Sequence, residues 1–521
     1  MLADPHLNHD DLRRWRACAR RFWLHRRRSA ANDPAAPAGD DPAADASAEA
    51  AVVHGPAPGD ALRATFPGAV GISAPGTPAE WAHAVRDTAA RLSERRMHQE
   101  GRALFGACLA GSDGAQVCID VLTQGEHGLR LFKVRYATVA DEADVDVVAL
   151  WAHVAARGGL RVQSVGLLLV DTEFTYPGHG CYAGLFREVD LGPVLGSRPV
   201  ASWLAAMQAC DRGPQPQADT GAQCTQHGGC DFIDHCRAHG DAQGPAHAKA
   251  AGQASLEIVG RELAAELRHE GHADLRSVPE HRLADARHRR ALRAIQQGAP
   301  VLEPAVAALM QAQGYPRRTL RFDTIGFAVP VWAGTQPYQV LPFQWTCDVE
   351  PAPGQLLRKA FLADARGDPR RAFAQTLLQA LGDSGPVFAY NAGFERNRIR
   401  ELALRFDDLA AALEALLPRI VDLFQIARTH YYHPLMRGSW SFKSVFGAIA
   451  PELHAARFEC DGEPSSQAAF ARSLQRGLDA ATLQRLQDAL RSHGQRQTEA
   501  LRRMVALFEG AAPASPARAG S

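Results

Sequence analysis

Apolar and polar positions alternate, or gather into short apolar runs bounded by turn residues, in several separate stretches of this chain. Gln116 to Leu122 (QVCIDVL), Gly128 to Tyr136 (GLRLFKVRY) and Arg161 to Val170 (RVQSVGLLLV) read as strands, as do LRFDTI from Leu320 and FQWTCDV from Phe343. Helical spacing is predicted over 61–72, 77–97 and 145–156, and again between 255 and 298. Residues 7 to 28 form a predicted amphipathic helix, with Asn8 or Asp10 as its cap, an apolar face of Leu12, Trp15, Phe22, Trp23 and Leu24, and Cys18 in its middle. Strands interleaved with helices predict an α/β architecture.

Two stretches carry no such pattern. From 29 to 60 the chain is Ala, Pro, Asp and Gly, a composition that packs no core and predicts a flexible insertion, and 511–521 (AAPASPARAGS) reads as a disordered tail. At 521 residues the remainder is expected to fold as two or three domains.

Lys plus Arg and Asp plus Glu are both 57, so formal charge is zero and any nucleic-acid surface must be a local patch. The N-terminal region has no apolar signal core and no apolar run is long enough to span a bilayer, so a cytoplasmic protein without membrane association is expected. Ten cysteines in a reducing compartment argue against a disulfide framework. Cys118 and Cys347, on predicted strands, are expected to behave as small buried apolar residues.

Clustered cysteines are different. In GAQCTQHGGCDFIDHC, Cys224, Cys230 and Cys236 stand at regular spacing, and a closed metal site needs a fourth ligand, a role Cys18 fits. A [4Fe–4S] cluster, a zinc ion and buried thiols without metal are the three readings. His227 and His235 are substitute ligands or loop surface.

Arg287, Arg289, Arg290 and Arg293 make the densest basic patch outside the N-terminus. The preceding EGHADLRSVPEHRL resembles helix-hairpin-helix modules that grip DNA backbones, the alternative being a helical linker with a solvated basic face. Further on, His430, Tyr431, Tyr432, His433 and Pro434, then Ser439, Trp440 and Lys443, form a polar and aromatic block. It suits phosphate and base contacts, or closes the core.

The blocks GTQPYQ, PFQW, YNAGFE, YYHP and GSWSFK, spread through 315 to 508, resemble the bacterial domain-of-unknown-function family 2779. Its members look like DnaQ-type exonucleases fused behind a RecB-like half. The resemblance implies a RecB-like PD-(D/E)xK α/β core over 1–245, a helical hairpin linker over 255–300 and an RNase H-like (DnaQ-type) α/β domain over 315–510. RecB-like nucleases of the AddB and CRISPR-adaptation types hold a [4Fe–4S] cluster on one N-terminal cysteine and three after the core, the arrangement of Cys18, Cys224, Cys230 and Cys236.

The same resemblance locates two centres and shows both altered. In the RecB-like half Asp120 falls on the first acid, but Lys133, Val134 and Arg135 stand at the Glu-x-Lys. The family's two acids and one Lys sum to −1, whereas Asp120, Lys133 and Arg135 sum to −1 +1 +1, or +1. In the exonuclease-like half four carboxylates are expected to hold two cations. Asp-Phe-Glu-Thr becomes Arg321, Phe322, Asp323 and Thr324; Glu395 of YNAGFE is retained; and HGQRQT leaves Gln497 in the last acid's place, with His493 where a tyrosine would orient water. Arg321, Asp323, Glu395 and Gln497 sum to +1 −1 −1 +0, or −1, against −4 in the family, too little for two Mg²⁺ or Mn²⁺ ions. Asp422 of RIVDLF is the best remaining acid.

These counts lead to an expectation of a nuclease-related protein, degenerate in both centres, that binds DNA or RNA or a nuclease, repair or defence partner protein. One alternative is a metal-dependent exonuclease using Asp323, Glu395 and Asp422 with His493 as base. The other is a scaffold protein with no nucleic-acid role.

Overall fold

The computed structural model describes residues 6–30, 58–94, 102–224, 229–239, 254–364, 367–455, 458, 460, 465–475 and 477–510. The predicted insertion over 29–60 and the tail 511–521 thus lie almost wholly outside the described residues, as does His227. The chain is mixed α/β and divides into two compact units, residues 1–246 with 326–339 and residues 247–325 with 340–521.

The first unit runs α1 (His9–Ala17), α2 (Ala19–Ala30), α3 (Pro58–Thr65), β1 (Val70–Gly71), α4 (Pro78–Ser93), β2 (Ala103–Ala110), β3 (Gln116–Gln124), β4 (Leu129–Arg135), α5 (Glu142–Arg157), β5 (Val162–Val170), β6 (Phe186–Asp190), α6 (Gly192–Leu195), α7 (Val200–Arg212) and α8 (Ile233–His239). Its six strands make one sheet in sequence order, with β2, β3 and β4 an antiparallel meander and β5 returning parallel to β4 through α5. Helix α5 starts at an Asp141 capping box closed by Asp144, and its valines together with Leu150 and Trp151 fill the unit's core. Strand β2 carries no alternation in ALFGACLA and was not legible from its pattern, whereas the strands predicted around 116, 128 and 161 lie within one or two residues of their predicted ends.

The predicted helix over 7–28 is broken. Asn8 caps α1 in a capping box with Asp11, but Cys18 adopts extended backbone (φ −167°, ψ 118°) and separates α1 from α2. The predicted helix over 61–72 stops at Thr65 and gives way to β1, which pairs with β2. Cys118 departs from its expected role: β2 and β3 set Cys108 opposite Cys118, Cα atoms 4.2 Å apart, and a disulfide joins them. Cys347 remains a buried thiol, pushed up to about 12 by burial.

The second unit runs α9 (Arg261–His269), α10 (Ala286–Gln297), β7 (Val301–Leu302), α11 (Ala305–Gln311), β8 (Arg317–Ile325), β9 (Leu341–Glu350), β10 (Leu357–Leu362), α12 (Arg370–Leu381), β11 (Val387–Ala389), α13 (Gly393–Arg405), α14 (Asp407–Leu416), β12 (Ile420–Asp422), α15 (Leu423–His430), β13 (Tyr431–Tyr432), α16 (Phe442–Ile449), α17 (Pro451–Ala455), α18 (Ser466–Ser473) and α19 (Ala480–Phe508). Its main sheet has the order β10-β9-β8-β11-β12, with β9 antiparallel to both neighbours and β11 parallel to β8 and β12. One face is apolar: Leu320, Phe322, Trp345 and Cys347 pack on Phe373 and Leu377 of α12. Phe322 meets Phe373 edge to face at 5.0 Å, and burial of each ring is worth about 1.5–3 kcal/mol.

The opposite face takes the 29-residue α19, and there the sheet is polar: Thr319, Arg321 and Asp323 on β8, Gln344, Thr346 and Asp348 on β9. The segment predicted as a linker over 255–300 is part of this unit. Helices α9 and α10, joined by two short 3₁₀ turns, close a small core of Leu256, Val259, Leu267, Leu275, Val278, Leu283 and Leu292. The connection between β8 and β9, residues 326–339, packs instead within the first unit, where Tyr176 N donates to Thr335 O (2.9 Å) and Tyr182 Oη to Pro330 O (3.1 Å).

Candidate functional site

Strand alternation decides what β8 presents. With Leu320 and Phe322 turned into the core, Arg321 and Asp323 share the face toward α19, whose His493 and Gln497 stand one helical turn apart. Arg321 Nε donates to Gln497 Oε1 at 2.9 Å, and the other end of that amide lies 2.6 Å from His493 Nε2. With its oxygen occupied by the guanidinium, Gln497 must donate through Nε2, so His493 Nε2 accepts and its proton sits on Nδ1. The edge of Phe458 closes on the same imidazole at 5.3 Å.

Glu395 enters from α13, which follows β11 after Asn391 turns the chain in the left-handed region (φ 59°). Its side chain is 0% exposed and 3.8 Å from Arg321 Nη1. Burial pushes the carboxyl up to about 7 against the pull of Arg321 and of the backbone N–H groups of Glu395 and Phe322, none of which reaches full hydrogen-bond geometry with its oxygens among the described residues. Asp422, at the end of β12, caps α15 by accepting from Phe424 N (2.9 Å) and also accepts from Asn391 N (3.0 Å). It is near enough for its charge to raise Glu395 further. Burial likewise raises Asp323 and lowers His493, while the two groups partly restore one another.

The predicted positions Arg321, Asp323, Glu395, Asp422, His493 and Gln497 are therefore gathered in one recess at the polar face and strand ends of the sheet. At its middle is the Arg321 guanidinium, stacked 4.9 Å over the Phe442 ring. Such a recess holds its own cation.

The residues singled out for nucleic-acid contact are mostly engaged internally. Arg290 has a side chain only 5% exposed, with Nε 3.1 Å from Glu303, and Arg293 shares that carboxylate at 3.0 Å. Arg287 pairs with Asp285 (Nε to Oδ2, 2.8 Å), and Arg289 Nη1 donates to the carbonyls of Leu283 and Ala284, both at 2.7 Å. Tyr432 is fully buried and its hydroxyl accepts from Gly438 N (3.0 Å); Trp440 Nε1 donates to Tyr431 O (3.3 Å). Tyr432 and Trp440 are thus core contacts and Arg290 is buried, whereas Arg287 and Arg293 keep their carboxylate partners at the surface, 34% and 44% exposed. Lys443 is exposed.

In the first unit Asp120 accepts from Val134 N at 2.8 Å, so one oxygen is committed to the β3–β4 pair. Lys133 is 9% exposed, with Nζ 6.0 Å from the Trp151 ring. Arg135 Nε lies 3.0 Å from Asp144, a carboxylate of α5 with no exposed side-chain surface. Sequence reasoning missed His9. Burial lowers its pKa, its Nδ1 has no partner among the described residues, and the charges of Lys133 and Asp120 act on it across the packing. Nothing in the local pattern marks it; only the docking of α1 on α5 brings it there.

Cys18, Cys224, Cys230 and Cys236 line one cavity, together with Arg21, Asp219, Gln223 and Phe232. The break after α1 is what presents Cys18, and Cys236 comes from α8. Trp23 Nε1 to Gly213 O (3.0 Å), Arg20 Nε to Pro216 O (2.8 Å) and Arg28 over the Phe232 ring (4.7 Å) hold the two ends of the unit against each other. Among the described residues, no three His, Cys, Asp or Glu side chains are grouped as ligands of a single ion. His235 faces Gln215 (3.5 Å).

The chain thus combines a mixed α/β unit lined by four thiols with a second whose sheet carries an arginine-filled acidic recess. Residues 319–441, from β8 to the start of α16, match the family described as "Domain of unknown function (DUF2779)", and the chain carries a domain of that family. The matched span contains Asp323, Glu395 and Asp422 and stops before His493 and Gln497. No curated protein and no solved structure matches the chain. No described helix is long and apolar enough to cross a membrane.

Proposed function

We propose that this is a cytosolic, nuclease-related protein that binds nucleic acid without cutting it, degenerate in both of its nuclease-like centres. The sheet order of the second unit, with β9 antiparallel and β11 and β12 parallel to β8, supports an RNase H-like reading, and the β2–β3–β4–α5–β5 order of the first supports a PD-(D/E)xK one. The observation that carries the loss of catalysis is Arg321. Bonded to Gln497 and 3.8 Å from Glu395, its fixed positive charge stands where a two-ion mechanism needs acids to collect cations.

The four-cysteine cavity supports a structural [4Fe–4S] cluster. Around one zinc ion with bonds of ~2.3 Å, tetrahedral sulfurs stand about 3.8 Å apart, whereas a cubane spreads its thiolates over four irons and a wider sphere. Four thiols on one cavity wall supply the donor set that the wider group needs. Cys18, Cys224, Cys230 and Cys236 would hold it, and its contribution would be to tie α1 and α2 to the chain after α7.

A second reading, a one-ion exonuclease on Asp323, Glu395 and Asp422, draws on the unpartnered Glu395 oxygens. One experiment separates the two. Purified protein is incubated with single- and double-stranded DNA and RNA in Mg²⁺ or Mn²⁺, and binding is followed against salt. Salt-sensitive binding with intact strands is expected, because phosphate contacts release counterions. Cleavage that survives Arg321→Ala and disappears with Asp323→Ala and Glu395→Ala overturns the inactive reading.

A further inference from the structure

Helix α2 carries five arginines, and four are spent on partners. Arg20 donates to Pro216 O (2.8 Å), Arg26 pairs with Asp11 (3.4 Å) and Asp211 (3.1 Å), Arg27 pairs with Asp211 (3.4 Å) and Arg28 with Asp231 (3.9 Å). Arg21 is half-buried, lines the cavity of Cys18, Cys224, Cys230 and Cys236, and makes no ion pair or hydrogen bond among the described residues. The carboxylate on that wall, Asp219, is exposed and screened by water. A half-buried guanidinium without a paired carboxylate among the described residues, on a wall shared with four thiols, is matched by negative charge that those thiols acquire when they become thiolate ligands.

We propose that Arg21 is the charge-compensating residue of the four-cysteine site, and that it sets the electron affinity of the group held there. This rests on the [4Fe–4S] reading above. Four thiolates leave a cubane site net negative, and accepting an electron adds one more negative charge. A fixed cation on the wall favours the reduced state, raising the reduction potential.

The test uses the full chain, purified anaerobically as wild type, Arg21→Gln and Arg21→Lys. Iron is quantified, then each protein is titrated with dithionite as electron donor while absorbance and electron paramagnetic resonance report reduction. Expected is full iron in all three, a midpoint shifted to more negative potential in Arg21→Gln, and a midpoint near wild type in Arg21→Lys. Loss of iron from Arg21→Gln but not from Arg21→Lys also supports compensation, since lysine keeps the positive charge that glutamine removes. An iron-loaded Arg21→Gln with the wild-type midpoint overturns the inference, as does loss of iron from both variants, which would make Arg21 a packing residue. Wild-type protein without iron removes the cluster reading itself, and this inference with it.

Discussion

Arg321 and Gln497, which stand at two of the four positions where the family resemblance expects metal-binding acids, are bonded directly to each other, Nε to Oε1 at 2.9 Å. The pair acts as a unit: the amide that accepts from the guanidinium also fixes the tautomer of His493, and the guanidinium neutralises the Glu395 side of the recess. Arg321 and Gln497 satisfy one another, so substituting one position alone leaves the other's partner unsatisfied.

That pairing predicts non-additive reversion. Arg321→Asp alone, or Gln497→Asp alone, is expected to leave calorimetric titration with Mn²⁺ flat. The double variant, whose positions sum to −1 −1 −1 −1, or −4, is expected to take up divalent ions. Uptake by wild-type protein at these residues, seen by diffraction as ordered ions beside Asp323, would contradict the charge argument.

Glu395 gives the recess a pH signature. Its carboxyl is raised from its usual 4.5 to about 7, so between those values the folded state holds a proton that the unfolded chain has released. Protons bound in the unfolded state are then fewer than in the folded one, so stability falls as pH rises through this window. The cost is fully developed above about pH 7 and is on the order of 3 kcal/mol, at ~1.4 kcal/mol per pH unit. Urea denaturation of Glu395→Gln between pH 5 and 8 is expected to show a flatter profile than wild type and a higher midpoint at pH 8. An identical slope in both proteins refutes the assignment.

The cysteines make a simpler prediction. On the proposed cluster, wild-type protein purified anaerobically is expected to be brown and to contain iron, and Cys18→Ser and Cys236→Ser are each expected to lack both and to lower the stability of the first unit. Cys210→Ser is the control. Cys210 lies near Cys18, with Sγ 3.8 Å from Ala19 O, but it does not line the cavity, and iron content should be unchanged.

What the chain revealed before folding depended on the range of the interaction. β8 and β9 were legible because alternation is local, whereas the convergence of Arg321, Asp323, Glu395, His493 and Gln497 was implied only by the family resemblance. Cys18 was legible as a partner but not as a helix break, since the extended backbone there answers to packing between distant segments. Arg290 is the converse case: a run of basic residues reads as a solvated face, whereas Glu303, thirteen residues on, takes Arg290 into a buried pair that only the tertiary fold creates. His9 and the capture of 326–339 by the first unit are likewise long-range outcomes.

Packing between α19 and the polar face of the sheet rests on one residue without a side chain. A Cβ at Gly494 would stand 2.2 Å from Thr346 Oγ1 and 2.5 Å from Gln344 Nε2, both on buried side chains of β9. Gln344 is already anchored by its bond to Leu490 O at 2.9 Å, so it cannot swing aside without giving up a buried hydrogen bond. Gly494→Ala raises intrinsic helix propensity by up to about 1 kcal/mol, which would stabilise an exposed site. Here overpacking, typically 1–3 kcal/mol, and the displaced amide outweigh it. The variant is expected to unfold at lower urea with an unchanged m-value. Because α19 carries His493 and Gln497, the pH dependence attributed to Glu395 should change with it. A gain in stability would mean that α19 stands farther from β9 than these contacts require.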